Sequence, residues 1–161
     1  MSLILGIDPG LQGAMALVNT HSHRVEEVWD MPVLHVRGGR GALDLHRLHR
    51  MFQEANSGLF QEVDLAVLEE VSAMPRQGVT SSFTFGRTSM APEAFLVAEN
   101  IRYQTVRPAV WKRAMRVVAD KDSSRQMAAR TFPQDADLFS RAKDDGRAEA
   151  ALLALFGMRF L

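Results

Sequence analysis

With 161 residues, 47% of them hydrophobic and 24% charged, the chain has the length and balance of a single globular domain spanning 1–161 with a real core. It has no cysteine, which excludes a disulfide framework and a thiolate metal site. No apolar run reaches the roughly 20 residues of a membrane helix, and no signal peptide is legible, so a cytoplasmic protein with no membrane partner is expected.

The chain opens on a short apolar run, Leu3 to Asp8, with Leu3, Leu5 and Ile7 on one face and Ile4, Gly6 and Asp8 on the other. Pro9-Gly10 makes a turn, and a second strand is predicted from Ala14 to Val18. Arg24 to Met31 alternates imperfectly and reads as a third strand. Strands joined by short turns pair antiparallel, so the chain begins with a β-meander. Arg37 to Gly41 is a basic, glycine-rich loop. After it, Leu45, Leu48, Met51 and Phe52 recur at helical spacing, with Asp44 placed as a cap.

Val63 to Val71 reads as a fourth strand, densely apolar until Glu69. A helix is expected to begin within Thr80 to Ser89, with Pro92 breaking or kinking it. Ile101 to Val106 is the fifth strand. Helices are predicted at Pro108 to Met115, Ser123 to Phe132 and Asp145 to Phe156. A meander feeding two βα units gives an α/β fold, a mixed five-stranded sheet with antiparallel and parallel parts flanked by helices. That order fits the ribonuclease H-like fold and several other α/β folds, and fold alone does not identify function.

Three acidic signals stand out. Asp8 ends an apolar strand, where a rigid frame holds its oxygens at the sheet's edge; an Asp before Pro-Gly also simply starts a turn. Leu68-Glu69-Glu70-Val71 ends another strand, and alternation allows only one of the two glutamates to share a side with Asp8. Asp145 and Glu149 lie four apart on one helix face, where like charges repel by roughly 0.2–0.5 kcal/mol unless a cation intervenes. Asp144 there reads as a helix cap, and Asp145 also suits the positive end of the helix. Together, two strands and one helix deliver a carboxylate set suited to the hard cations Mg²⁺ or Mn²⁺. Two such ions about 3.5–4 Å apart promote phosphodiester hydrolysis. The five histidines show no ligand spacing, which makes zinc a poor candidate.

Lysines and arginines equal the acids at 19 each, which argues mildly against a nucleic-acid partner. The distribution is uneven, however. From Arg107 to Arg130, Arg107, Lys112, Arg113, Arg116, Lys121, Arg125 and Arg130 face only Asp120 and Asp122. Charge alone leaves this segment as a solvated helical surface.

The motifs, taken in order, resemble the RuvC-like Holliday junction resolvases, especially their bacteriophage and chloroplast branch. The matching pieces are Gly6-Ile7-Asp8-Pro9-Gly10 followed by Gly13, Leu68-Glu69-Glu70-Val71, and Phe85-Gly86-Arg87. Arg107-Pro108-Ala109-Val110-Trp111-Lys112, Lys121-Asp122-Ser123-Ser124-Arg125 and Lys143-Asp144-Asp145-Gly146-Arg147-Ala148-Glu149-Ala150 complete the set, which spans nearly the whole chain.

The resemblance implies a ribonuclease H-like, homodimeric endonuclease that nicks two opposing strands of a four-way DNA junction. It implies two Mg²⁺ or Mn²⁺ ions per site, held by Asp8, Glu69, Asp145 and Glu149, with Glu69 chosen over Glu70 by the family's strand pattern. Lys112 would join them in catalysis beside the scissile phosphate, and Lys121 with Arg125 would grip the backbone. Arg76, Arg87, Arg113 and Ser123 lie in or near the matched pieces and complete the expected DNA-binding set. The setting would be the cytoplasm of a prokaryotic or phage-infected cell. Two features depart from the family: Met90-Ala91-Pro92 replaces small residues and glycine, and Ser72 stands where the bacterial branch has an aromatic wedge. The loop from Met74 to Gly78 is an alternative source of junction contacts.

Three other functions fit these residues less well. An ATPase of the actin and sugar-kinase type needs two domains and a second phosphate loop. Another ribonuclease H-like nuclease, acting on RNA–DNA hybrid or other branched nucleic acid, would use the same metal chemistry and is the main alternative. A non-catalytic DNA-binding relative would have no use for a complete set of costly acids.

Overall fold

The structure, a computed structural model, describes residues 2–35, 41–57, 62–72, 78–118, 120 and 122–161. Most of the Arg37 to Gly41 loop, Arg76 in the Met74 to Gly78 loop, and Lys121 lie outside the described residues.

Strand β1 (Leu3–Asp8) is followed by β2 (Ala14–Asn19) and β3 (Arg24–Asp30), which pair antiparallel as a meander. A hairpin of β4 (Val33–Leu34) and β5 (Ala42–Leu43) follows; no alternation this short is legible in the sequence. Helix α1 (Leu45–Asn56) starts on Asp44, whose carboxylate accepts the Arg47 N–H at 3.0 Å, as its sequence position predicts. Then come β6 (Leu65–Glu69), α2 (Val79–Ala98), β7 (Tyr103–Val106), α3 (Pro108–Ala114), α4 (Ser123–Thr131), a 3₁₀ segment (Pro133–Phe139) and α5 (Asp145–Phe156).

The five-stranded sheet runs β3-β2-β1-β6-β7, with β6 parallel to β1 and β7 parallel to β6. β1 is thus central and is buried on both faces. Its alternation separates two cores as predicted. Leu3, Leu5 and Ile7 pack with Leu48, Met51 and Phe52 of α1 and Leu96 of α2. Ile4 packs on the opposite side with Ala150, Leu153 and Ala154 of α5, and α4 and the 3₁₀ segment contribute Ala128, Phe132 and Phe139.

Helix α5 lies unusually close to the sheet. A Cβ at Gly6 would sit 1.8 Å from the Ala150 carbonyl oxygen, so only glycine allows the strand and helix backbones to approach this far. At the helix start, a Cβ on Gly146 would lie 2.6 Å from the Gln12 carbonyl oxygen. These two contacts, one in the middle of the helix and one at its start, fix α5 along its length against β1 and the turn after it.

Of the two expected outcomes at Pro92, a break does not occur: α2 runs from Val79 to Ala98 with Pro92 inside it. The proline forfeits a hydrogen bond at a cost of about 3 kcal/mol. Burial offsets that cost, because Thr88, Pro92 and Leu96 form the helix's inward face. Among the described residues, no helix is long and apolar enough to cross a membrane.

Candidate active site

Asp8, the last residue of β1, sits where the strand leaves the sheet. Its Oδ1 accepts the Gly10 N–H at 3.4 Å across the Pro9-Gly10 turn. The parallel register sets Ile7 beside Leu68, so the next step along both strands brings Asp8 and Glu69 to the same edge and face. Glu70 has left the strand; its N–H bonds the Val106 carbonyl and its carboxylate lies 3.6 Å from Arg107. Of the two glutamates, then, the fold turns Glu69 towards Asp8.

Helix α5 supplies the other pair. Asp145 opens it and Glu149 follows one turn later; with Asp8 they line a cleft of about 610 Å³. Burial pushes the Asp8 carboxyl up to about 7, with repulsion from Glu69 and then Glu149 adding to it. Glu69 is raised as well, again mainly by burial, and the Trp111 hydrogen bond works in the opposite direction. Neighbouring acids thus raise the proton affinity of Asp8 and Glu69, while Lys112 works in the opposite direction.

Each acid meets a donor. Lys112 Nζ donates to Glu149 Oε1 at 2.7 Å and Ser124 Oγ donates to the same oxygen at 3.0 Å. Trp111 Nε1 donates to Glu69 Oε2 at 2.6 Å. Arg125 Nε donates to Asp145 Oδ1 at 3.0 Å, and its terminal nitrogen also reaches Asp122. With these bonds in place, no three acidic or histidine side chains among the described residues already surround a metal-sized point.

The predicted basic residues are spread more widely. Lys112 and Arg125 sit on the acids themselves. Arg113 lines a second cleft, of about 640 Å³, on the other side of Asp145 and Glu149. Ser123, at the start of α4, uses its Oγ to accept the Val118 N–H at 3.0 Å. Arg87 borders a separate groove between α2 and the β4–β5 hairpin, whose lining includes none of the four acids.

Asp144 corrects a reading from the sequence. It occupies the cap position of α5 but makes no capping bond with its side chain. Its carboxylate, 1% exposed, accepts the Arg141 N–H at 2.8 Å and the Arg141 guanidinium at 2.7 Å. Burial opposes its charge, yet the Arg141 hydrogen bonds prevail and hold its pKa below the ordinary value. Arg147 lies 3.7 Å from it and forms a two-pronged pair with Asp30 at 2.6 and 2.7 Å, tying α5 to the end of β3.

Trp111 and Ser124 also went unassigned in the sequence, although both fall in the quoted motifs. A tryptophan directly before Lys112 was the available signal, because a buried indole N–H needs an acceptor.

The strand order, with helices on both faces, defines the class: this is a ribonuclease H-like fold in the form seen in RuvC-type resolvases. No protein-family model matches the sequence, and no curated protein does. Among solved structures, the chain is similar to T. thermophilus RuvC in complex with Holliday junction substrate, at TM-score 0.67 and 19% identity over 99% of this chain and 96% of that one. A second Thermus thermophilus RuvC structure gives TM-score 0.58 and 16% identity, covering 98% and 96%. The fowlpox virus Holliday junction resolvase gives TM-score 0.54 and 17% identity, covering 99% of both chains.

Proposed function

We propose that this protein is a metal-dependent, structure-selective endodeoxyribonuclease that resolves four-way DNA junctions by paired symmetric nicks. One observation carries the reading: β1, β6 and α5 bring Asp8, Glu69 and Glu149 within electrostatic reach of one another beside Lys112. Solved structures of the same fold include a RuvC bound to a Holliday junction substrate, which supports branched DNA as the substrate class. The motif set further supports a place in the bacteriophage and chloroplast branch, working in the cytoplasm.

The donor chemistry fits Mg²⁺ or Mn²⁺: the site offers carboxylate oxygens and no sulfur, and their mutual repulsion favours a divalent cation. Asp8, Glu69, Asp145 and Glu149 would hold the ions. Such ions activate water and stabilise the leaving oxygen of a phosphodiester. Lys112, half-buried between the acids and the second cleft, is placed to meet the phosphate at the cleft edge. Ser124 steadies Glu149, and Arg113 offers a backbone contact beyond it.

Paired nicks require two sites related by a two-fold axis, hence a homodimer. Helix α2 supports this. Val79, Phe83, Met90 and Val97 are all more than half exposed, and with Gly86 they follow the spacing of a coiled-coil seam on the side away from Thr88, Pro92 and Leu96. A second copy of the same seam is its natural cover.

The deciding experiment offers a four-way junction, a flap, a plain duplex and an RNA–DNA hybrid with Mg²⁺ or Mn²⁺. Symmetric nicks in the junction, absent in the other substrates and in EDTA, are expected. Preferential cutting of the hybrid would replace this reading with that of a hybrid nuclease, and junction binding without cleavage in either metal would make the protein a binding relative.

A further inference from the structure

Trp111 is fully buried in the core layer beneath α5, yet its indole carries one polar atom that needs an acceptor. That atom, Nε1, donates to Glu69 Oε2 at 2.6 Å, and Glu69 is the last residue of its strand, at the mouth of the site. The same ring lies under Lys112, whose Nζ stands 5.3 Å from its centroid before reaching Glu149 at 2.7 Å. Two consecutive residues of α3 therefore touch two acids delivered by different elements.

We infer that Trp111 is a positioning residue for Glu69: its N–H fixes one carboxylate oxygen and leaves the other to the site. A glutamate has three side-chain torsions, and burial alone does not choose among its rotamers. A ligand free to rotate must be ordered when the ion binds, at an entropic cost; a hydrogen bond from a rigid, core-locked indole removes that freedom beforehand. Donors behind a ligand also select which of its oxygens faces the ion. A phenylalanine would fill most of the same space, so packing alone does not explain the short, charge-assisted bond. The inference rests on the metal-dependent reading above, and its test separates the two.

The test measures Mn²⁺ binding calorimetrically for the wild-type protein, Trp111→Phe, Glu69→Gln and the double variant, with thermal melts alongside. Trp111→Phe should weaken Mn²⁺ binding by roughly 10–100-fold. In the Glu69→Gln background the same change should cost nothing further, because Trp111 acts through that carboxylate; two independent losses would instead multiply. In case Trp111→Phe does not fold, a Trp29→Phe background leaves one indole to follow by NMR. Its N–H resonance should move when Glu69 becomes glutamine and again when Mg²⁺ is added to the Glu69 protein. Wild-type Mn²⁺ affinity in Trp111→Phe, or an indole resonance indifferent to Glu69→Gln, overturns the inference and makes Trp111 plain core. A wild-type protein that binds no Mn²⁺ overturns the metal-dependent reading itself, and this inference with it.

Discussion

Carboxylates are costly to bury, which is why the acids at this site were visible in the sequence and the indole beside them was not. Asp8 and Glu69 end apolar strands and Asp145 and Glu149 share a helix face, whereas Trp111 in a helix reads as core, and only its partner shows what its N–H does. The cost of these acids is testable at Asp8. Its folded value, about 7, lies above the ordinary 3.8, so the metal-free fold favours the protonated acid. That contribution is complete below the unfolded value and is lost as pH rises through about 7. Melts in EDTA should therefore show wild-type stability falling between pH 4 and pH 8 relative to Asp8→Asn. At pH 8 Asp8→Asn should melt several degrees higher, each kcal/mol being worth about 2–4 °C at this size, while losing junction cleavage. An Asp8→Asn protein that cuts normally would remove Asp8 from the site. The neighbouring pair offers a second check at the same scale. Alternation left Glu69 and Glu70 open, the resemblance selected Glu69, and the β1–β6 register turns that residue towards Asp8. Glu69→Gln should abolish cleavage under Mg²⁺, whereas Glu70→Gln, which loses only an exposed pair with Arg107 at 3.6 Å, should retain most of it. The reverse pattern in a nicking assay would shift the assignment by one residue.

Elements were legible wherever a period ran long enough. The alternation in β1 and the span of α5 came through as read, because both are set by their own residues. Pro92 does not break α2 because a local rule about an isolated helix yielded to tertiary burial. The 3₁₀ segment Pro133–Phe139 has no period of its own and is held from outside, by Arg24 of β3 gripping Asp135 at 2.7 Å and by the Val25 N–H at 3.0 Å. How closely α5 approaches β1 was likewise invisible, since a glycine in a strand signals close approach without naming the neighbour. Gly6→Ala tests what that approach does. The added methyl would meet the Ala150 carbonyl oxygen and push α5 outward, carrying Glu149 away from Asp8. Overpacking of this kind costs about 1–3 kcal/mol, sometimes more. Misplacement by about 1 Å can cost 100-fold in rate. Cleavage should therefore fall much further than stability, as comparison of junction kinetics with urea midpoints would reveal. A Gly6→Ala protein with normal kinetics and normal stability would mean the helix is not held by this contact.

For the molecule as a whole, the strand order β3-β2-β1-β6-β7 is a property of how units are assembled, which no single segment encodes. The meander and two βα units allow it; crossover handedness and the central burial of β1 select it. Assembly beyond one chain follows the same logic. The predicted basic stretch spends Lys112 and Arg125 on the site's own acids. Under the proposed function, the geometry of two copies then carries the recognition of a junction that phosphate attraction alone would not define. Light scattering at micromolar concentration should give about twice the 17.9 kDa of one chain. Phe83, 68% exposed and one turn into the α2 seam, is the residue to change. Its exposure means that Phe83→Glu should leave the fold intact, with an unchanged thermal midpoint, while placing like charges across the two-fold contact. The expected product is a monomer that still binds Mn²⁺ but no longer makes paired nicks, leaving single cuts in a cruciform plasmid where the wild type linearises it. A Phe83→Glu dimer that still linearises the plasmid would place the contact on another face.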